Sequence, residues 1–571
     1  MTLRSDRWVR GDDEVALDSR VALKMGGAPV DADGGRAIIG LANSSSDLNP
    51  CNQPLAEYIA PLREAIERAG GIAVEFPVIS LGEDLMKPSS MLYRNLLAME
   101  VEESVRSQPI DGLVVLAACD KSIPGALMGA FSTNVPTLLM VSGPRPVATF
   151  QGQRIGTGTD LWRMWDERRR GELSDEEWND LERVLTLGKG TCNTMGTASS
   201  MGAICEALGL AWPGSTSMPA GDARHLDIAR GVGARIVELA TSGTTITDQV
   251  TQQSIDNALT VLGALGGSTN AVIHLTAMAR RLGLGLDLDA VDRVGRSVPV
   301  IVDVEPSGAA LMEDLDDVGG IPTVFGALGE LLHGETVLAD GSSMADVQSR
   351  APSPKGAVRE RSDPVEAEGA FRVVRGNLAP EGALIKRSAA TAALLRHSGP
   401  AFVMRSADEV THRTGANSTA GPDAVLVLSG AGPIGGPGMP EWGMIPIPTP
   451  LLERGVTDMV RVTDARMSGT SFGTVFLHVA PEGAADGPIG LVRDGDVITV
   501  DADDGRIEVA ISSEEMAARR AQRDQTRPTS RGYVELYRRH VTQAPAGCDF
   551  DFLALEPGQR PHLDEPAVGR S

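Results

Sequence analysis

The chain of 571 residues is 42% hydrophobic and 22% charged, an ordinary globular composition with enough length for two or more domains. Its net charge of −24 argues against nucleic acid or an anionic membrane as a partner, because both require basic patches. No apolar run approaches the roughly 18–20 residues that span a bilayer, and the first residues lack the apolar stretch of a signal peptide. Five cysteines are a sparse, odd set that speaks against a disulfide framework. The sequence predicts a cytoplasmic protein of enzyme size with reduced thiols.

The first third of the chain alternates strand and helix signals. The predicted strands are 37–42, 72–78, 112–117 and 137–141, and the predicted helices are 55–69, 91–106 and one from about residue 124. This order is typical of an α/β fold, in which a parallel sheet carries helices on its faces. Ligands bind at the carboxyl ends of such strands. Because Cys51, Glu83 and Cys119 each follow a predicted strand, we expect them to share one crevice.

Residues 160–188 form a charged, tryptophan-containing insertion that we predict to be helical. We interpret it as a solvated or oligomer-contacting element in preference to a substrate lid. The Pro-rich, charged stretch 350–370 predicts a domain linker, which divides the chain into residues 1–360 and 361–571. Beyond it, short strands and turns predict a β-rich, barrel-like second domain that includes a hairpin over 496–511.

Three cysteines lie far apart, each in a small polar loop: Cys51, Cys119 and Cys192. Structural cysteines usually have apolar neighbours, so we expect these thiols to be accessible and placed for use. No CxxC pair occurs, which disfavours zinc ribbons, and ferredoxin-type spacing is absent. Three separate loops can still converge on one cluster, and the alternative is three thiols with no shared task. Cys205 is predicted to pack in the core and Cys548 to be incidental.

The residues after Cys119 favour metal chemistry. Asp120 offers a hard oxygen ligand next to a soft sulfur ligand, so one loop can contact two different metal centres. A protonated Lys121 has no lone pair and becomes a ligand only when neutral or converted to a carbamate. Alone, it would be read as a surface or anion-binding lysine. We predict that His274 and His478, both within apolar stretches, are core histidines without a catalytic role.

Seven motifs in order resemble the iron–sulfur dihydroxy-acid and sugar-acid dehydratase family over residues 35–555. They are Asn49-Pro50-Cys51-Asn52, Cys119-Asp120-Lys121-Ser122, Gly190-Thr191-Cys192-Asn193-Thr194-Met195-Gly196-Thr197-Ala198-Ser199, Gly266-Gly267-Ser268-Thr269-Asn270-Ala271, Gly376-Asn377-Leu378-Ala379-Pro380, Gly435-Gly436-Pro437-Gly438-Met439-Pro440-Glu441 and Asp464-Ala465-Arg466-Met467-Ser468-Gly469-Thr470. The chain departs from the family's usual residues at Ala118, Ser122 and Ile434. These departures leave the expected metal ligands intact and affect the fine shape of the substrate pocket.

The resemblance implies a set of cofactors and site residues. The implied cluster ligands are Cys51, Cys119 and Cys192. The implied Mg²⁺ ligands are Glu83, Asp120, Lys121 (as a carbamate) and Glu441. The implied catalytic residues are Ser468 as base, Thr470 and Lys121. A 2Fe–2S cluster is favoured over a 4Fe–4S cluster. The N-terminal domain is expected to bind the cluster and Mg²⁺. The protein is expected to form a homodimer or homotetramer.

The implied reaction removes water from C2 and C3 of a 2,3-dihydroxy carboxylate and gives a 2-keto-3-deoxy acid. Mg²⁺ would stabilise the enolate, and an iron with an open coordination site would act as Lewis acid for the C3 hydroxyl. The segments 80–95 and 531–553 resemble the aldonate branch, which handles arabinonate and xylonate. The alternatives are the dihydroxy-acid dehydratase of branched-chain amino-acid biosynthesis and a non-catalytic iron–sulfur or redox-sensing protein, and a zinc-binding module is weaker still.

Overall fold

The computed structural model describes residues 2–523, 530–562 and 565–569. The N-terminal half contains a parallel four-stranded sheet, as the alternating pattern predicts, and its strand order is 2-1-3-4. Its strands are β1 (Ile38–Asn43), β2 (Ile72–Pro77), β3 (Gly112–Leu116) and β4 (Thr137–Met140). Strands β3 and β4 are completely buried because helices cover both faces of the sheet. A small antiparallel pair follows, formed by β5 (Ala148–Phe150) and β6 (Gln153–Ile155).

Helices build most of this half of the chain. They are α1 (Asp6–Val9), α2 (Glu14–Met25), α3 (Ile59–Arg68), α4 (Arg94–Arg106), α5 (Ser122–Thr133), α6 (Thr159–Arg169), α7 (Asp175–Leu185), α8 (Thr197–Ala207), α9 (Arg224–Ser242), α10 (Ile246–Gln249), α11 (Gln252–Ala264), α12 (Thr269–Arg281), α13 (Leu288–Ser297), α14 (Met312–Asp317), α15 (Gly320–Leu328) and α16 (Met344–Arg350). Helices α5, α8 and α12 are buried on nearly every side, so their sequences lack the polar stripe of a surface helix. They form the centre of the larger apolar core.

The C-terminal half is a barrel-like eight-stranded sheet, which confirms the predicted β-rich domain. Its strands are β7 (Phe371–Val374), β8 (Gly382–Lys386), β9 (Arg396–Met404), β10 (Val425–Leu428), β11 (Arg461–Thr463), β12 (Val475–Ala480), β13 (Val497–Asp501) and β14 (Arg506–Val509). The order is 14-13-9-10-11-12-8-7, and β9 to β12 run parallel. Arg375 closes the ring: its N–H donates to the Gly505 carbonyl at 2.9 Å, and its carbonyl accepts from the Ile507 N–H at 3.0 Å. Strands β13 and β14 are the predicted hairpin.

Few helices accompany the barrel. They are α17 (Ala407–Thr414), α18 (Thr449–Leu452), α19 (Ser513–Ala521) and α20 (Tyr533–His540). Short 3₁₀ turns lie at Gln53–Tyr58, Ser90–Tyr93, Gly329–Leu331, Arg387–Ala389, Ala392–Leu394, Gly483–Ala485, Pro488–Leu491 and Ala544–Ala546. Among the described residues, no helix combines the length and the apolar character that crossing a bilayer requires.

The two halves meet through apolar contacts and a paired linker. Phe371, Val373 and Leu384 of the barrel belong to the same buried cluster as the N-terminal helices. The Pro-rich stretch is not free: Val358 and Glu366 form bridges with Val302 and Val300. The loops that follow the parallel strands of both sheets carry the residues singled out by the sequence.

Candidate active site

Asn52 ties together the loops that follow β1, β2 and β3. Its side-chain oxygen accepts hydrogen bonds from the N–H groups of Ala118 and Cys119, at 3.0 and 2.9 Å. Its amide nitrogen donates to the Ser80 and Ser122 hydroxyls, at 3.0 and 2.9 Å. Asn52 is fully buried, so a single side chain fixes the carboxyl-end loops against one another. This arrangement is the crevice that the strand order predicts.

Cys51 and Cys119 contact each other in this crevice, and Cys192 lies near enough to Cys51 and Asp120 to interact with them electrostatically, but the expected accessibility is wrong. Cys51 and Cys119 are 6% and 5% exposed, and Cys192 is half-buried. A hydrogen bond with Cys51, burial and the neighbouring Asp120 carboxylate raise the pKa of the Cys119 thiol. Burial likewise raises the pKa of Cys192 to about 12, although Arg145 opposes the shift. In the metal-free protein Cys119 and Cys192 are therefore neutral thiols.

Three carboxylates surround one buried cation. Oxygens of Glu83, Asp120 and Glu441 lie within 4.8 Å of one another. The Lys121 ammonium, which is fully buried, lies 3.0 Å from Glu83 and 2.9 Å from Glu441, and it also pairs with Asp120. Burial and Arg466 would lower the pKa of Lys121, but the three carboxylates outweigh them and raise it. Burial alone would raise the pKa of Glu83, whereas Lys121 and Arg466 lower it.

Glu441 is held by donors from both halves of the chain. Its Oε1 accepts from Arg466 Nη1 and from Asn270 Nδ2, both at 2.9 Å. The same Asn270 amide donates to the Met467 carbonyl at 2.9 Å, immediately before Ser468. Asn270 begins the buried helix α12, so this helix fixes Glu441 and the Ser468 loop relative to each other.

Glu83 is positioned by the turn that precedes α4. Ser89 Oγ donates to its Oε1 at 2.9 Å, and both the N–H and the hydroxyl of Ser90 donate to Oε2. Arg466 Nη2 donates to Ser89 Oγ at 2.9 Å. One fully buried guanidinium therefore contacts Glu441 directly and Glu83 through Ser89.

Ser468 lies in a loop surrounded by hydroxyl groups. Its Oγ shares a hydrogen bond of 3.0 Å with Thr470 Oγ1. A side chain at Gly469 would collide with the Thr197 N–H nitrogen and with Ser268 Oγ, so this residue has to be glycine. Thr197 and Ser268 are themselves joined at 2.8 Å. The surroundings of the predicted base are polar.

The helical insertion begins against this loop. Thr159 Oγ1 donates to the Thr470 carbonyl at 2.8 Å, and Gly158 lies so close to Thr470 that an added Cβ would stand 2.7 Å from its Cβ. Helix α6 then reaches the barrel, where Arg169 donates to the Ile447 carbonyl at 2.8 Å. The insertion is helical as predicted, and its first turn packs directly on the Ser468 loop.

Sequence reasoning missed the supporting residues Arg466, Asn270, Ser89, Ser90 and Thr159. Arg466 and Asn270 stand inside the quoted motifs, and a buried arginine beside a predicted acidic ligand is the signal that points to such a role.

The other cysteines and the two histidines considered in the sequence lie in the core. Cys205 packs in the core as predicted. Cys548 is not incidental: it is fully buried, and its sulfur contacts Met439 at 3.8 Å. His274 and His478 are buried core residues, and burial lowers the pKa of His478 to about 3.

The donor sets fit two kinds of metal centre. An ammonium enclosed by three carboxylates occupies a place that equally suits a hard divalent cation with oxygen ligands. Three thiols from separate loops suit iron or another thiophilic metal and leave a coordination position open. These residues, on an α/β domain joined to a barrel, form a candidate metal-binding site of mixed oxygen and sulfur donors.

Comparison with known proteins shows the family. The N-terminal and C-terminal models of the dihydroxy-acid/6-phosphogluconate dehydratase family match residues 36–347 and 356–548, and the chain belongs to this family. It is therefore a dehydratase, an enzyme of the hydro-lyase class. The resemblance seen in the motifs is confirmed.

Three relatives illustrate the range of the family. The chain is 43% identical to a 6-deoxy-6-sulfo-D-gluconate dehydratase from Pseudomonas putida, over 96% of both chains. It is 41% identical to an L-arabinonate dehydratase from Rhizobium leguminosarum bv. trifolii, again over 96% of both. Identity to the dihydroxy-acid dehydratase of Aquifex aeolicus is 34%, over 96% of this chain and 99% of the relative.

Proposed function

We propose that the protein is a sugar-acid dehydratase that removes water from C2 and C3 of an aldonate to give a 2-keto-3-deoxy acid. One observation carries this proposal: the Asn270 amide binds both Glu441 and the backbone before Ser468. This contact fixes an acidic cation site and a candidate base beside each other. A base next to a cation is the arrangement that removal of a proton α to a carboxylate requires.

Ser468 takes the C2 proton in this proposal. A serine hydroxyl is too weak a base in its ordinary state, so the oxygen has to react as an alkoxide. Thr470 Oγ1, 3.0 Å away, donates a hydrogen bond to that oxygen. As the C2–H bond breaks, its electron pair forms the C2–C3 double bond and the C3–O bond is released. The leaving hydroxide takes up the proton that Ser468 had removed from C2, so it departs as water and the Ser468 alkoxide is restored. The enol then tautomerises to the keto acid.

Glu83, Asp120 and Glu441 would hold Mg²⁺, while Cys51, Cys119 and Cys192 would hold an iron–sulfur cluster, with 2Fe–2S favoured. When bound, the magnesium would supply charge stabilisation for the substrate carboxylate and the cluster a Lewis acid for the C3 hydroxyl. Arg466 and Asn270 keep Glu441 oriented toward the cation position. Carbamylation of Lys121 would exchange its ammonium for an anionic oxygen ligand.

The substrate class rests on similarity and on the polarity of the site. The sulfogluconate and L-arabinonate dehydratases are 43% and 41% identical to the chain, whereas the dihydroxy-acid dehydratase of Aquifex aeolicus is 34% identical. The buried hydroxyls of Thr159, Thr197 and Ser268 are bonded to one another or to the Thr470 carbonyl and make the surroundings of the Ser468 loop polar. Polar surroundings support a hydroxyl-rich substrate. We further propose a homo-oligomer and a division into functional domains near residue 360, with Ser468 on the second.

A substrate panel tests the proposal. Purified protein with its cluster reconstituted is given arabinonate, xylonate, gluconate and 2,3-dihydroxyisovalerate, and keto-acid formation is followed. Turnover of at least one aldonate is expected, and turnover of dihydroxyisovalerate alone would refute the substrate class.

A pair of serine variants tests the base. Ser468→Ala should abolish turnover while iron, sulfide and visible absorption are retained. The control Ser471→Ala removes a buried hydroxyl from the same loop that has no hydrogen-bond partner among the described residues. Full activity of Ser468→Ala would refute the assignment of the base.

A further inference from the structure

A second cavity lies on the barrel, at the carboxyl ends of β9 and β10. Its volume is about 370 Å³, and Arg405, Ser429 and Gly430 line one side. Arg405 directly follows β9, and Ser429 and Gly430 directly follow β10. The carboxyl ends of parallel strands are the usual place for a bound ligand in open α/β sheets. We call this cavity the arginine pocket.

The arginine pocket concentrates positive charge in a chain whose net charge is −24. Four arginines line it, and its described lining contains no acidic residue: Arg405, Arg493, Arg519 and Arg523. Such a gathering of like charges is unfavourable in an empty cavity and becomes favourable when an anion binds between them.

The four guanidinium groups are not equally available. Arg519 is neutralised by Asp496, with contacts of 2.5 and 3.0 Å, and serves as a structural ion pair. Arg493 donates to Gln522 Oε1 at 3.3 Å, and its one ion pair among the described residues is a long contact of 3.9 Å with Glu515. The ion pair of Arg523 with Asp486 is likewise long, at 3.7 Å. Among the described residues, no carboxylate therefore lies close enough to Arg493 or Arg523 to offset their positive charge fully.

Arg405 and Arg523 also have N–H groups to spare. Arg405 donates to Ser429 Oγ at 3.1 Å and to the carbonyls of Gly490 and Val492, at 3.3 and 2.8 Å. Since a guanidinium has five N–H groups, these three hydrogen bonds fix the Arg405 side chain and leave further N–H groups free to donate to a ligand. Arg523 Nη1 is buried and has no hydrogen-bond partner among the described residues.

Glycines keep the floor of the pocket open. An added Cβ at Gly490 would lie 3.1 Å from Arg523 Nη1, and one at Gly483 would lie 3.3 Å from the Gly430 nitrogen. The N–H groups of Gly430 and Gly483 already donate to the buried Asp464, both at 2.8 Å. The ligand is therefore bound by guanidinium groups and not by the backbone.

We propose that the arginine pocket binds the phosphoryl group of a small phosphorylated metabolite or of free phosphate, at a site separate from the dehydratase centre. Arginine forks match the oxygens of a phosphoryl group in pairs. The volume exceeds what a phosphate ion alone needs, which leaves room for an attached sugar-sized group. The proposal does not depend on the identity of the dehydratase substrate.

Calorimetric titration of the full-length holoenzyme at constant ionic strength tests this site. The probes are inorganic phosphate and glucose 6-phosphate, with glucose as the uncharged control; glucose 6-phosphate has no carboxylate and is no substrate for the proposed reaction. One glucose 6-phosphate per chain is expected, and glucose should not bind. Tighter binding of glucose 6-phosphate than of phosphate assigns the site to a metabolite, and equal binding assigns it to the free ion.

Arginine variants locate the bound anion. Arg523→Gln and, independently, Arg493→Gln should each weaken binding about tenfold or more, because each removes a charge-assisted contact. Arg520→Gln is the matched control: Arg520 is exposed on the same helix as Arg519 and does not line the pocket. Absence of binding by the wild-type enzyme, or equal loss in all three variants, would overturn the proposal. Turnover in the absence of phosphate should be unchanged in every variant.

Discussion

Replacement of Gly158 by alanine tests whether the insertion positions the Ser468 loop. The new Cβ would lie 2.7 Å from the Thr470 Cβ, whereas carbon atoms in contact normally stay about 3.5–4.0 Å apart. Thr470 therefore has to move by about 1 Å, and its 3.0 Å hydrogen bond to Ser468 is lost or distorted. Displacements of this size in catalytic groups cost up to about 100-fold in rate. We expect kcat to fall about 10- to 100-fold while metal and sulfide contents stay at the wild-type level.

Gly171→Ala is the matched control for this experiment. Gly171 lies in the same insertion with φ +76°, and no atom lies within 4 Å of an added Cβ, whereas Gly158 has φ +95°. Both alanines carry backbone strain because φ is positive at each position. Gly158 has ψ −67°, outside the left-handed helical region, and its alanine also meets Thr470, so Gly158→Ala should lower the melting temperature more than Gly171→Ala. Steady-state kinetics with an aldonate and thermal unfolding separate the two effects. A kcat within twofold of wild type for Gly158→Ala, or an equal loss in both variants, would refute the reasoning.

Three further predictions concern charge and metal. Lys121→Met leaves the three half-buried carboxylates without their fully buried cation, so the metal-free protein should lose about 3–5 kcal/mol of unfolding free energy. The exposed Lys24→Met should lose almost none, and equal urea midpoints would contradict this. Cys119→Ala should abolish reconstituted iron binding while Cys205→Ala, an equivalent change in the core, retains it; iron retention by Cys119→Ala would remove this thiol from the cluster. Burial and Asp160 raise the pKa of Glu305 to about 7, above its unfolded value, so stability present below pH 4.5 is lost as the pH rises through 7. Glu305→Gln should therefore be more favourable relative to wild type at pH 7.5 than at pH 5, by about 1–2 kcal/mol after discounting for partial exposure, and a pH-independent difference in denaturant unfolding would show that Glu305 does not titrate in this way.

The local hydrophobic pattern predicts the N-terminal sheet because each strand and helix there is a continuous segment with its own periodicity. The same local pattern cannot predict that the C-terminal strands close into a barrel. Arg375 pairs with Gly505 and Ile507, more than a hundred residues away, and neither segment carries a local signal for the other. The prediction of a barrel-like domain rested on the density of short strands and turns, which does not specify strand order.

Some residues of the candidate site could be predicted from the sequence, and others are recognised only from their contacts in the structure. The spacing of Cys51, Cys119 and Cys192 is compatible with a shared cluster and equally with three unrelated thiols. The family motifs around them favour the shared cluster. Accessibility was predicted wrongly because polar neighbours in sequence do not guarantee solvent: hydrogen bonds such as those of Asn52 bury the loops. Arg466 and Asn270 went unassigned because their importance comes from contacts between the two halves of the chain.

Lys121 affects how the metal-free protein folds. Three clustered carboxylates without a cation would repel one another and oppose closure of the interface between the two halves. The Lys121 ammonium neutralises much of that repulsion, and the raised pKa of the neighbouring Cys119 keeps that thiol uncharged. With the metal sites proposed above, the chain would complete its fold first and accept its metals afterwards, unlike a zinc finger, whose folding waits for the ion. A shortage of iron or magnesium would then lower turnover without lowering the amount of folded chain.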